Sequence, residues 1–288
     1  MRSLSHHSSA AYISSICSSG FGSTSVHHLS QAVEVFNNLV FPVEAINVES
    51  VLLSPPIQKT LSSKFDDHLF NNLIAISSLA DKAPLLSISS PHASAWLSVT
   101  PSEGLGLHLD PPVFQIASPA NMVEMWSPAT TRSEILVETC RRAHIGVQVE
   151  VGNNLTHDHN KTRPADILLS NWFLGKPAAL DVSITSPLNP LTLLEAGVLA
   201  KSAAQVTEAR KHQANDPKCS ELGWVCVPMA YGAWGDEASS IISSIASRLA
   251  TSTCKSMSVV LNDIYGRLNV HLVRANATAI LSRIIPLS

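Results

Sequence analysis

Two aspartates near the middle of the chain have the residue type and the setting of a metal-binding pair. Asp166 lies in the segment ADILL and Asp181 in the segment AALDVSIT, and both segments have the composition of a β-strand. Two carboxylates that lie close together repel each other unless a cation is present. A divalent ion such as Mg²⁺ prefers oxygen ligands, polarises a phosphoryl oxygen and lowers the pKa of a bound water molecule, and phosphodiester hydrolysis requires both effects. The alternative is that both aspartates are ordinary strand-end residues that are solvated or form salt bridges.

The elements around the aspartates decide whether they can meet. Hydrophobic periodicity predicts the order helix, three strands, helix, strand over residues 133–144, 147–151, 165–169, 178–185, 190–212 and 223–231. Asn189 is the expected cap of the second helix, and the last strand is a nearly uninterrupted apolar run suited to the middle of a sheet. If the second and third strands are neighbours, Asp166 and Asp181 lie side by side at one end of the sheet.

Composition places the chain among globular proteins. It has 288 residues, 45% hydrophobic content and a formal net charge of −3. No run of about 20 apolar residues occurs, so we expect no membrane insertion. The five cysteines are odd in number and include no CxxC pair, which argues against a disulfide framework or a zinc cluster and favours reduced thiols in a cytoplasmic or nuclear protein.

The domain organisation follows from shifts in composition. We predict a disordered Ser-rich leader over residues 1–30, a helical region over 31–88, a Pro-rich linker over 89–126 and an α/β domain over 127–288. The linker is the likeliest boundary. Basic residues are concentrated in the last of these segments.

The motifs and their order resemble the PD-(D/E)XK, or restriction-like, nuclease superfamily. RPAD, which ends in Asp166, is similar to its first acidic motif with an inserted alanine, and LDVS, which contains Asp181, is similar to its second. More narrowly, most of residues 30–285 resemble the region downstream of the reverse transcriptase in retroelement polyproteins that carry an endonuclease. The resemblance implies a restriction-endonuclease-like core of helix, three strands, helix and strand, preceded by a helical region. It also implies Mg²⁺ as the cofactor and DNA as the partner, with the RNA of the parent element as a second candidate.

The chain departs from the family pattern at two places. The usual lysine two residues after the second acid is replaced by Ser183. Retroelement members carry the lysine on the following helix, where ARKH offers Lys211, with Lys201 as a competitor and His212 where a tyrosine is common. Residues 115–132 contain no cysteine or histidine for the family's zinc knuckle, so the resemblance implies a shortened copy without the polymerase and the knuckle.

Further residues could be metal ligands or nucleic-acid contacts, but each of them also has an ordinary structural explanation. Glu138 matches a helical acid that some superfamily members use as a metal ligand, but an exposed helical glutamate is equally common. Glu150 ends a strand and is a weaker candidate, and the His-Asp-His run at 157–159 has no third ligand in sequence. The tryptophans are better explained by core packing than by base stacking. The basic residues that could contact phosphates are Arg141, Arg142, Arg163 and Lys176.

Two functions therefore remain open at the level of the sequence. One is a Mg²⁺-dependent endonuclease that nicks target DNA, with Asp166, Asp181 and Lys211 as catalytic residues and Glu138 as a further ligand. The other is a nucleic-acid-binding relic that keeps the fold and has lost catalysis. A third outcome, an unfolded relic, predicts no cooperative thermal transition.

Overall fold

A computed structural model describes residues 11, 13, 25–53, 58–104, 107–116, 132–151 and 165–284. The chain divides into two compact units, Met1–Ser77 and Ser78–Ser288. This division falls earlier than the linker at 89–126 in which the sequence places the boundary. Within the described ranges, no helix is both long enough and apolar enough to cross a membrane.

The first unit is helical. Between residues 25 and 76 its described helices are α1 (Ser25–Asn37), α2 (Val48–Leu53) and α3 (Gln58–Ile76), with a short 3₁₀ turn at Pro42–Glu44. Its own apolar core takes residues from each of the three helices, among them Phe36, Val51 and Phe65. The Asn37 side chain binds both backbone groups of Ile46, at 2.7 Å and 2.9 Å, and so fixes the chain after α1.

The second unit combines one four-stranded sheet with helices around it. In chain order its elements are α4 (Leu79–Ser89), a 3₁₀ turn (Ala95–Ser98), α5 (Pro111–Ile116), α6 (Arg132–Arg142), β1 (Val147–Val151), β2 (Ala165–Phe173), β3 (Lys176–Ile184), α7 (Leu193–Ala196), α8 (Ser202–Glu221), β4 (Val225–Tyr231), α9 (Asp236–Thr253) and α10 (Met257–Ile284). The predicted α/β class is confirmed, and the predicted sequence of helix, strands, helix and strand is present from α6 to β4.

The sheet has the order β1, β2, β3, β4. The β1–β2 and β2–β3 pairs are antiparallel, and β4 is parallel to β3. A two-residue turn joins β2 to β3 at Leu174 and Gly175, whose φ angles of 50° and 79° are typical of a type I′ hairpin turn. Because β4 runs parallel to β3, the chain must cross over between them, and the helix α8 makes that crossover.

Alternation along the strands sends side chains to two different layers. Ile167, Leu169 and Leu180 pack in the large core with α6, α9 and α10. Leu168 and Ala179 point to the other face and pack with Cys219 of α8. Burying side chains of this size contributes roughly 1.5–3 kcal/mol each, so both faces hold the sheet in place.

The last strand differs from its expected position. An apolar strand at 223–231 suggests the middle of a sheet, but β4 is the last of the described strands in the sheet order. It is apolar because α8 and α9 both pack against it. Pro228, which lacks an N–H donor, is compatible with such an edge strand.

The crossover helix is also displaced relative to the prediction over 190–212. A short helix ends at Ala196, and α8 then begins at Ser202 and continues to Glu221. Gly197 caps the short helix, and a Cβ at this position would overlap the side chain of Leu79. The helical pattern is therefore interrupted at a place where α4 approaches closely.

The segment before the sheet packs onto the long helix α10. The ring of His92 stacks on Tyr265 with centroids 4.0 Å apart, and Asn269 donates to the His92 carbonyl at 2.6 Å. Further along, Arg274 donates to the carbonyl of His108. The described residues of 89–116 are therefore tied to the α/β unit.

Candidate functional site

The two aspartates lie at facing positions on neighbouring strands. Ile167 pairs with Leu180 in the antiparallel register, so the next step of that register places Asp166 opposite Asp181. Cβ atoms of directly opposite residues on one face are about 4.5–5.5 Å apart. The Asp166 carboxylate accepts the backbone N–H of Val182 at 2.8 Å, which fixes its position at the end of the pairing.

Helix α8 brings a lysine to the second aspartate. The Lys211 ammonium lies 2.9 Å from both oxygens of Asp181. Asn215, one turn further along the same face of the helix, donates to Asp181 Oδ2 at 2.6 Å. The Asp181 side chain is only 14% exposed, so its charge is largely withdrawn from water and is compensated by Lys211.

Lys201 and Lys211, the two candidates for the lysine beside the second aspartate, have different partners in the structure. Lys201 binds Asp236 at 2.7 Å, near the start of α9, whereas Lys211 binds Asp181. Ser183 lies two residues beyond Asp181 and therefore on the same face of β3. The ammonium group beside the second aspartate thus comes from the helix and not from the strand.

The inward face of α8 is polar where a helix of this kind usually carries apolar residues. Glu208 is 7% exposed, and its carboxylate accepts the N–H of Glu237 at 3.3 Å and that of Ala238, at the start of α9. Burial, together with the nearby charges of Glu237 and Asp236, raises the pKa of Glu208, and the backbone hydrogen bonds oppose that shift only in part.

His212 lies between two carboxylates. Its Nδ1 is 2.8 Å from Asp216 and its Nε2 is 2.5 Å from Glu237. Burial lowers the pKa of His212, but the hydrogen bonds and charges of Asp216 and Glu237 outweigh burial, so the net shift is upward. The imidazole is consequently stabilised in its charged form.

Two thiols complete the layer between α8 and β4. Cys219 on the helix and Cys226 on the strand are both buried and form a hydrogen bond with each other. This hydrogen bond, and then burial, raise the pKa of Cys226, so Cys219 is the thiol of the pair that ionises first.

The structure does not bring Glu138 to the aspartates. Glu138 lies on α6, which packs against the face of the sheet opposite to α8. Its carboxylate accepts from Arg267 of α10 at 2.6 Å. Helical periodicity alone could not show on which face of the sheet this helix would pack.

The predicted phosphate contacts within the described ranges, Lys176, Arg141 and Arg142, are not gathered around the aspartates either. Lys176 begins β3, five residues before Asp181, which corresponds to about 17 Å of extended strand. Arg141 and Arg142 end α6, and Arg142 lies 3.9 Å from Asp263. Arg163 lies outside the described residues, as does the His-Asp-His run at 157–159, while Glu150 lies within β1.

A cavity of about 150 Å³ opens beyond the carboxyl end of β3, between the following loop and α8. The described lining of the cavity includes one charged side chain, that of Arg210. The cavity also contacts Ile184, which lies three residues after Asp181 on β3. The remaining lining is a mixture of hydroxyl, amide and apolar groups, among them Thr185, Thr192 and Val206.

Sequence motifs identified part of this arrangement. Asp166, Asp181 and Lys211 are recognisable from their order, but Glu208, Asn215 and Glu237 were missed. The signal that could have found Glu208 and Asn215 is a polar stripe at helical spacing with Lys211, in a helix that must pack against a sheet. Comparisons of the chain with models of protein families, with curated proteins and with solved structures found no match.

Proposed function

We propose that the chain is a Mg²⁺-dependent DNA endonuclease domain of the restriction-like type, derived from a retroelement, which nicks target DNA. The observation that carries the proposal is the contact of Lys211 with both carboxylate oxygens of Asp181. It supports the proposal because the motif order calls for a lysine beside the second acid, and Ser183 cannot supply it. The core of helix, three strands, helix and strand from α6 to β4 is the order that the proposed family implies.

The residues at this place fit a magnesium ion. Asp166 and Asp181 offer hard oxygen donors from facing positions on one side of the sheet. Mg²⁺ commonly uses only one or two protein carboxylates and keeps several water molecules, so the absence of Glu138 from this place does not weaken the fit. When bound, the ion would supply Lewis-acid polarisation of the phosphodiester and a lower pKa for an attacking water.

The protein's own groups would act through position and charge. Asn215 and the N–H of Val182 hold the two carboxylates in fixed orientations, which limits reorganisation during the reaction. The Lys211 ammonium would stabilise the negative charge that develops on the phosphoryl oxygens. A group of this kind typically contributes a factor of about 10²–10³ to the rate.

Nicking of supercoiled plasmid tests the proposal. The purified chain should convert supercoiled to open-circular DNA in Mg²⁺ and not in EDTA. Asp181→Asn should abolish nicking, and Lys211→Met should reduce it roughly 10²-fold or more. The matched controls are Asp263→Asn and Lys218→Met, because both side chains lie outside the proposed site and both variants should keep the wild-type rate.

The outcomes against the proposal are equally definite. Nicking that persists in EDTA, or that is equal in wild type and Asp181→Asn, would show that the activity does not come from this site. Parallel purification of all variants separates a contaminating nuclease from the chain's own activity, since a contaminant would be present in each preparation.

A specific observation favours a second candidate, a nucleic-acid-binding relic without catalysis. Lys211 and Asn215 already satisfy the Asp181 carboxylate, so the same contacts describe a stable salt bridge that needs no ion. This candidate predicts DNA binding in a gel-shift assay that does not depend on Mg²⁺, with no nicking by any variant.

A further inference from the structure

A second cluster of metal-ligating groups lies between α8 and β4. His212, Asp216 and Cys226 each offer one ligand atom, and these atoms all lie within 4.8 Å of one another. We propose that this cluster binds a zinc ion at a site separate from Asp166 and Asp181. The inference does not depend on the proposed nuclease activity.

The donor set selects the metal. One imidazole nitrogen, one carboxylate oxygen and one thiolate sulfur suit Zn²⁺, whereas Mg²⁺ takes oxygen ligands. With zinc–ligand distances of about 2.0–2.3 Å, the corners of a tetrahedron lie roughly 3.3–3.8 Å apart. Separations near the 4.8 Å limit therefore need to close by only about 1 Å, and the 2.8 Å between His212 Nδ1 and the Asp216 oxygen needs to open by about 0.5 Å.

The hydrogen bonds of His212 provide an independent argument. Glu237 lies 2.5 Å from Nε2, so it can accept that N–H and orient the ring, as carboxylates do behind many zinc-bound histidines. Nδ1 then faces an Asp216 oxygen at 2.8 Å. The lone pair of Nδ1 and the carboxylate oxygen repel each other at this distance unless a positive charge lies between them or beside them. In the metal-free protein this charge is a proton, and in the zinc-bound protein it would be the metal ion.

Three protein donors leave one position of a tetrahedral set, which a water molecule would take. Cys219 lies one turn beyond Asp216 and two turns beyond His212 on α8, and its thiol interacts with that of Cys226, but it does not belong to the group of ligand atoms within 4.8 Å of one another. An ion at this place would join α8 to β4 and, through Glu237, to α9, and would thereby fix the helix that carries Lys211.

Cobalt titration of the full-length chain tests the site. The protein is reduced with a phosphine, stripped with a chelator, dialysed and titrated with Co²⁺ in the absence of DNA. We expect one Co²⁺ per chain with a thiolate-to-cobalt charge-transfer band and tetrahedral visible bands, both removed by Zn²⁺. Cys226→Ser should lose the charge-transfer band, whereas Cys254→Ser, which changes an exposed thiol elsewhere, should keep it.

Asp216→Asn keeps the test decisive if the buried cysteine variant does not fold. The Asp216 side chain is exposed at the surface of α8, so its replacement should leave the fold intact. It should weaken Co²⁺ binding by at least about tenfold. The proposal is overturned if the wild type shows no thiolate band, or if Cys226→Ser and Asp216→Asn both bind as the wild type does.

Discussion

The residues of the site explain why a helix with a polar inward face can still pack against the sheet. A buried charge without a partner is costly, and two of the charged side chains of α8 are paired: Lys211 with Asp181, and His212 with Asp216 and Glu237. Removing one member of such a pair leaves the other uncompensated, which costs more than the pair itself contributes. These ion pairs therefore contribute little net stability, although breaking one of them is costly.

Glu208 belongs to the same polar face of α8, and its surroundings disfavour the ionised form of its carboxyl group. Because burial raises its pKa above the ordinary value of 4.5, the folded protein binds a proton at this group in a pH range where the unfolded chain has released it. Stability linked to Glu208 is fully present below that ordinary value and is lost as the pH rises through the raised pKa. Glu208→Gln keeps an acceptor for the backbone N–H groups and removes the titration.

The melting temperature of Glu208→Gln relative to wild type should therefore increase as the pH is raised from about 4 to 7. The check is a thermal melt of both proteins across that range at constant ionic strength, in EDTA so that no metal contributes. A difference that stays constant with pH would show that Glu208 does not resist ionisation in the folded state.

Residues that belong to an ordered motif could be predicted from the sequence, whereas residues whose role depends on tertiary packing could not. Asp166, Asp181 and Lys211 could be singled out because strand alternation and motif order constrain them. Glu138 could not be excluded, because nothing in a helix's own sequence tells which face of the sheet it will cover. Asn215 was not predicted, because a single polar residue in a helix is expected to face solvent unless its hydrogen-bond partner is known.

Among the elements, α8 and the start of α9 approach each other closely. Gly235 caps α9, and a Cβ added to it would overlap the Glu208 carboxylate. Glu208 cannot easily move away, since it accepts the first backbone N–H groups of α9. Only a glycine allows the carboxylate and the helix start to come this close.

Gly235→Ala should consequently reduce the free energy of unfolding by about 1–3 kcal/mol, as overpacking of a buried contact does. Gly104→Ala is the matched control, because a Cβ at that position meets no atom within 4 Å, and we expect a change within about 0.5 kcal/mol. Urea denaturation of both variants measures the difference. Equal stability of the two would mean that the junction can open without cost.

The elements were predictable to different degrees for physical reasons. β1 and the helix before it match the prediction closely, because alternation and capping are local signals. The close approach of Leu79 to Gly197 was not predictable, since the two residues are more than a hundred positions apart in the chain. The edge position of β4 was missed because burial by helices on both faces gives the same apolar pattern as a central strand.

At the scale of the whole molecule, the chain contains two units with separate cores. Met1–Ser77 encloses its own helical core, and Ser78–Ser288 contains the sheet and both proposed sites. Composition suggested a later start for the second unit, at residue 127, because prolines in the preceding stretch are typical of a linker. The contacts of that stretch with α10 are long-range, so composition could not reveal them.

Fragments that begin at these two positions should differ in stability. A fragment of residues 78–288 keeps the stacking of His92 on Tyr265 and the hydrogen bond of Asn269 to the His92 carbonyl. A fragment of residues 127–288 lacks His92, so Asn269 loses this hydrogen bond and the ring of Tyr265 loses its stacking partner. The lost hydrogen bond contributes about 0.5–1.5 kcal/mol, and the aromatic surface that becomes exposed adds to that. We therefore expect the longer fragment to unfold cooperatively in urea and the shorter one to have a midpoint at clearly lower urea concentration. Equal midpoints would show that the contacts of residues 89–116 with α10 do not support the α/β unit, and the domain would then begin where composition alone places it.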